Sequence, residues 1–145
     1  MKIETKYHGL IEVQKEEVIR FPNGFPGFIE EKEFAVIPFT EDGTFHILQS
    51  VQTPGLGFAL TNPFTFYPDY DFNLENQAVD VLELETAEDV TVYVVLTLAD
   101  PFHLTTANLL APVVVNTKNK LGKQVILTGS PYQTKHNLFP EAVAK

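Results

Sequence analysis

The residues best able to do chemistry are few and scattered. The four histidines, His8, His46, His103 and His136, lie far apart, and none has a second histidine two or four positions away. Local spacing therefore builds no histidine pair for a metal, and an isolated histidine reads as a surface or hydrogen-bonded side chain. The chain has no cysteine, which excludes disulfides, iron–sulfur clusters, thiolate zinc sites and cysteine nucleophiles together. Ser50 and Ser130 are the only serines, and neither lies in the Gly-x-Ser-x-Gly elbow of a hydrolase. Gly55-Leu56-Gly57 opens a dinucleotide fingerprint but has no third glycine and no following helix. The acids between Asp69 and Asp89 could supply a general acid and base, yet they read more simply as a solvated face. Asp69-Tyr70-Asp71-Phe72-Asn73 has the alternation of a calcium loop without its central glycine or closing glutamate. No catalytic, metal or cofactor residue is assigned.

Aromatic residues carry more information. Twelve Phe and five Tyr, with no Trp, make up 12% of the chain. Phe21, Phe25, Phe28 and Phe34 form one cluster, and Phe64, Phe66, Tyr67, Tyr70 and Phe72 a second. A small fold has limited interior, so some of these rings are expected to line an exposed apolar groove, the usual mark of a binding site. Phe64, Phe66, Tyr67 and Tyr70 are the groove candidates; the bland alternative is that they fill the core.

Charge is distributed unevenly. Of the net −9, residues 1–32 carry −1, residues 33–117 carry −12 with no Lys or Arg at all, and residues 118–145 carry +4. An acidic balance argues against direct contact with nucleic acid, whose binding footprint is basic. It favours basic protein partners through electrostatic steering, or serves only to keep the chain dispersed.

The elements that must position these groups are mostly short strands. At 145 residues one domain over 1–145 is expected. No apolar run approaches a membrane span, and residues 1–7 lack the apolar core of a secretory signal. Alternation predicts a hairpin from residues 2–7 and 10–14, then strands over 17–21, 35–39, 44–51, 57–61, 90–98, 105–110, 112–116 and 124–127. Residues 22–27 form a loop dense in turn formers, and residues 28–34 are expected to make one or two helical turns. Asn62-Pro63 closes a strand, residues 64–67 run extended into Pro68, and residues 74–84 have helical spacing. Residues 118–122 turn the chain, and from Gly129 it reads as irregular. About nine strands with one or two short helices predict a mainly β fold, a small single-domain antiparallel β-barrel-like structure.

Four segments, in order along the chain, carry a resemblance. Pro22-Asn23-Gly24-Phe25-Pro26-Gly27-Phe28 resembles the Gly-[Leu/Phe]-Pro-Gly-Phe loop of the flagellar assembly factor FliW family, with Phe25 where Leu is common. Leu48-Gln49-Ser50, Pro54 and Phe58-Ala59-Leu60 resemble its next segment. The run from Thr106 to Asn116 resembles its Thr-x-Asn-Leu-x-Ala-Pro-[Ile/Val]-x-[Ile/Val]-Asn signature. Gly122 to Leu127, with Tyr132 and His136, resembles its C-terminal end.

The resemblance implies a non-enzymatic binding protein of the bacterial cytoplasm, without a cofactor, on a β-barrel-like fold. It implies two partners that compete: flagellin, held before export, and CsrA, a basic RNA-binding repressor of flagellin translation that is inhibited allosterically. Within the matching motifs, Gly24, Pro26, Gly27 and Phe28 are expected to shape a loop. Asn108, Pro112, Asn116, Tyr132 and His136 join the aromatic residues as candidate partner contacts. Asn108 and Asn116 could equally cap turns, and Pro112 could mark a strand start or an edge strand, the latter open to β-addition. The competing expectation is a small β-barrel enzyme or ligand-binding module holding a flavin or similar group. A base-free middle leaves such a barrel few cations for a phosphate site.

Overall fold

Alternating apolar and polar residues place successive side chains on opposite faces of short strands, and the computed structural model, which describes residues 1–140, closes seven of these strands into a barrel. A hairpin comes first: β1 (Lys2–Thr5) and β2 (Gly9–Glu12) pair antiparallel, Ile3 facing Ile11 across the pair. β3 (Val18–Arg20), β4 (Glu33–Pro38), β5 (Phe45–Ser50) and β6 (Gly57–Thr61) then follow as an antiparallel meander. After the helices α1 (Pro63–Phe66) and α2 (Asn76–Leu82) comes β7 (Val90–Thr97), and beyond it β8 (Thr106–Ala107), β9 (Val113–Asn116), β10 (Leu121–Gln124) and β11 (His136–Asn137).

Two junctions close the ring. β7 is long enough to serve three neighbours: Val90–Tyr93 against β9, Val94 and Val95 against β6, and Leu96 and Thr97 against β8. The second junction is the parallel contact of β10 with β3, where the Arg20 amide donates to the Lys120 carbonyl at 2.9 Å. Closure removes the open edges that an antiparallel meander would otherwise present. β8 and β11 extend outward from β7 as a short flap, His136 opposite Ala107.

Period-two alternation sorts the core. Val114 packs with Ile47, Leu82 and Val94, whereas Val113 and Val115 pack with Phe21, Phe34, Leu48 and Leu60. Both faces of β5 and β9 are therefore covered, which explains why Val113-Val114-Val115 reads as an unbroken apolar run. The hairpin adds a third cluster, in which Ile3 and Val13 pack on Ala35.

The mainly β barrel with two α-helices agrees with the sequence-based expectation. Four local expectations are corrected. Residues 28–34 form no helical turns: Phe25 and Phe28 exchange backbone hydrogen bonds at 3.2 and 2.6 Å, and Glu33 already begins β4. Residues 63–66 are helical rather than extended, because the Asn62 side chain accepts from the Phe64 amide at 2.9 Å and Pro63 takes the first helical position. β10 starts at Leu121, three residues before the expected strand, with the turn at Thr117–Lys120. The segment after Gly129, expected to be irregular, supplies β11.

Candidate functional site: an aromatic groove

The N-capped turn of α1 and the β11 flap face one another, and between them lies a groove of about 380 Å³. Phe66, Tyr67 and Tyr70 contribute from the α1 side, and Tyr132 and His136 from the flap side. Five of the nine candidate contact residues, separated by up to seventy positions, thus share one concave surface. Pro68, Asp69 and Leu109 complete it. None of those three stood out as a contact in the sequence, where Pro68 ended an extended run, Asp69 opened an acidic alternation and Leu109 lay inside a motif.

Hydrogen bonds fix the rings. The Tyr67 hydroxyl donates to the Asn137 carbonyl at 2.7 Å and reaches the His136 carbonyl at 3.2 Å. Tyr70 donates to the Leu109 carbonyl at 2.7 Å, and the Tyr132 hydroxyl accepts from the Asp71 amide at 3.1 Å. Tyr132 meets Tyr70 edge-on at 4.7 Å and His136 at 6.2 Å. Burial pushes the Tyr67 phenol up to about 12 and raises Tyr70 further, by burial first and by the neighbouring Tyr132 second. Both therefore act as neutral donors throughout the physiological range. His136 Nε2 accepts from the Gln133 amide at 2.8 Å, and burial lowers its pKa, so the imidazole is held neutral.

The candidates differ in exposure, and four fall outside the groove lining. Tyr70 is only 4% exposed and forms the floor of the groove rather than its rim. Phe64 is exposed beside it, with its ring 5.9 Å from Tyr70. Asn108, half-buried, accepts from the Ala111 amide at 3.1 Å and shapes the turn into β9. Asn116 is corrected as a contact residue. It is 1% exposed, and its Nδ2 donates to the Leu82 carbonyl at 2.8 Å while its Oδ1 accepts from Lys118, which closes the C-terminus of α2. Pro112 stands at a strand start, and its reading as an open edge is corrected. It is buried and precedes β9, which is paired on both sides by β7 and β10, so no free edge exists there for β-addition.

In the loop after β3, Gly24 and Gly27 have φ of +72° and +86°. A side chain on Gly24 would press into the Ile29 backbone. Phe25 stacks on Phe58 at 4.6 Å, while Pro26 and Phe28 stay exposed. The Glu31 carboxylate locks the loop to the β5–β6 connection by accepting from Ser50, Gln52 and Thr53 at 2.5, 3.0 and 2.9 Å. The Ser50 bond foremost lowers its pKa, burial opposes, and the Thr53 and Gln52 bonds add to the lowering.

Among the described residues, no three His, Cys, Asp or Glu side chains converge as a metal cage, and no helix is long and apolar enough to cross a membrane. The site offers aromatic faces held in place by hydrogen bonds of their own, with acids from the 69–75 segment on its margin. A second hollow of about 270 Å³, bounded by Asp71, Asn73 and Glu75 on one side and Ile126 to Tyr132 on the other, shares the Tyr132 wall. Rings backed by a hydrogen-bonded frame and edged by acids suit a protein segment with apolar and basic side chains.

Comparison with known proteins places this arrangement. The family model described as FliW protein matches residues 2–138. A flagellar assembly factor FliW from Geobacillus kaustophilus is 54% identical over 145 residues, covering the whole of both chains. One from Bacillus subtilis is 45% identical over 142 residues, covering 98% of this chain and 99% of the relative. A crystal structure of a flagellar assembly factor FliW superposes with a TM-score of 0.92 at 51% identity, covering 97% of this chain and 98% of the other. Motif, sequence and barrel agree along nearly the full length, and the chain belongs to the flagellar assembly factor FliW family.

Proposed function

We propose that this member of the family acts as a non-enzymatic binding protein of the bacterial cytoplasm, working as one domain, that holds flagellin before export. In the same reading it binds and allosterically antagonises the translational repressor CsrA when flagellin has left. Flagellin synthesis is thereby coupled to export. The observation that carries the reading is the aromatic groove, in which Phe66, Tyr67, Tyr132 and His136 present a partly exposed apolar surface on a rigid frame. Flagellin's terminal regions are amphipathic helices, and an aromatic groove is the usual receptor for the apolar face of such a helix. The base-free segment 33–117 supports the second half, since its acids complement a basic RNA-binding protein.

Calorimetric titration of flagellin into the wild-type chain and into Tyr132→Ala tests the groove. Loss of an anchor ring is expected to weaken binding by about 2 kcal/mol. Undiminished affinity in a folded Tyr132→Ala chain removes the groove from the flagellin site. Competition then tests the coupling: flagellin should displace labelled CsrA from the wild-type chain, and formation of a stable ternary complex instead contradicts mutual exclusion.

A further inference from the structure

A second apolar hollow lies away from the groove's tyrosines, between the β4–β5 turn and the segment that follows β7. Its volume is about 140 Å³, and Phe39, Phe45, Ala59, Leu96, Leu98 and Phe102 form a wall that presents only apolar atoms. An apolar cavity of about 150 Å³ takes one benzene-sized group and stays dry when empty. The hollow therefore has room for a single Leu, Met or Phe side chain. Its rim is unusual for a surface: Phe39, Leu98 and Phe102 are 44, 40 and 46% exposed, and Tyr7 extends it by an edge contact with Phe39 at 5.5 Å.

Three facts narrow the occupant. A small apolar molecule would fill the hollow and leave those rim faces in water, whereas a polypeptide would cover both. The rim is also acidic. Exposed Glu41 and Asp42 follow Phe39 and Thr40, and exposed Asp100 lies between Leu98 and Phe102. Asp42 is held ionised, its pKa lowered by the Thr44 amide and the Thr40 hydroxyl. The basic side chains nearby are Lys6, over the Tyr7 ring at 5.4 Å, His8, edge-on to Phe39 at 6.0 Å, and exposed His103, next to Phe102. Finally, a second copy of this chain docked about a two-fold axis would set these three acids against themselves. A segment that brings its own cations meets no such repulsion.

We propose that this hollow is a docking pocket for a partner protein's segment that inserts one aliphatic or aromatic side chain and carries Lys or Arg on either side of it. The pocket shares no lining residue with the tyrosine groove, although Phe45 in its wall stacks on the groove's Phe66 at 6.0 Å, and the proposal stands whether or not the groove binds flagellin.

The test is fluorescence anisotropy with the full chain and a short labelled peptide that holds one central Leu between Lys residues. The expected result is saturable binding, weakened at least about tenfold when the peptide's Leu becomes Ser or its Lys residues become Glu. On the protein, Phe102→Ser should weaken binding by a similar factor. Asp100→Lys, which leaves the pocket intact, should reduce the preference for the Lys peptide, and Tyr132→Ala in the groove should leave binding unchanged. Thermal melts of each variant verify that it is folded. Absence of saturable binding, equal binding of the Glu peptide, or insensitivity to Phe102→Ser overturns the proposal. So does a dimer in sedimentation that Phe102→Ser dissolves, which would assign the pocket to a second copy.

Discussion

At the residue scale, two side chains read from motifs turn out to have different duties. Asn116 is wholly engaged by backbone groups of α2 and of the turn that follows β9. Asn116→Ala would leave the buried Leu82 carbonyl without its short bond, and the unfolding free energy should drop by about 2 kcal/mol in a denaturant titration. His136, by contrast, stands at the groove wall between Tyr67 and Tyr132, its Nε2 accepting from Gln133. Its folded pKa lies below 6.5, so below that value the unfolded chain binds the proton more readily than the folded one. Stability should therefore fall as pH drops through and below about 6.5, the unfolded value of a histidine. Melting temperatures measured between pH 7.5 and 5 (roughly the span of one histidine titration) should show this decline, and His136→Gln should flatten it. His46 contributes in the same direction, because burial lowers its pKa as well. Part of the slope should accordingly survive in the variant.

At the scale of elements, the loop between β3 and β4 shows how turn chemistry overrides a weak helical pattern. Residues 28–34 contain helix-compatible Glu and Lys. Even so, the left-handed Gly24 and Gly27 and the Phe25–Phe28 backbone pair bend the chain back on itself before a helix can start. Gly24 has a second reason to lack a side chain, since a Cβ would collide with the Ile29 backbone. Gly24→Ala should cost about 2 kcal/mol or more, from a left-handed backbone and a steric clash together. A chemical denaturation midpoint unchanged in Gly24→Ala would contradict that account. α1 teaches the converse lesson. Four residues are too few for a hydrophobic period, but Asn62 followed by Pro63 is a helix start in two letters, an N-cap and a first-turn proline. That signal was present in the sequence beside the aromatic run it initiates.

At the scale of the whole molecule, the charge segregation of the sequence is partly folded together. Lys118, from the basic C-terminal portion, pairs with Glu85 at 3.2 Å across an exposed surface. Such a pair contributes little to stability. Most acids of segment 33–117 are exposed and available to an approaching partner, so the proposed association with CsrA should be electrostatically steered. Its on-rate, followed by stopped flow, should fall steeply as salt rises from about 0.05 to 0.5 M. A rate independent of salt would contradict steering while leaving the complex itself in place.

The amino-acid sequence by itself determined the class of fold, since alternation within short runs and turn formers between them leave little but an antiparallel β architecture. It also determined the absence of thiol chemistry and the acidic middle, which are properties of composition. Its four ordered motifs pointed to the family before any coordinates. Only the tertiary structure decided how the ring closes, because the β7–β9 and β3–β10 contacts join segments far apart in sequence whose pairing leaves no local trace. It decided which face of Val113–Val115 meets which core, and that Pro112 has no open edge beside it. It assembled the groove as well: Tyr67 and His136 meet because a hydroxyl reaches the carbonyls of a strand seventy residues away. Periodicity reports what one element must bury, whereas a binding surface is made where elements distant in the chain come together.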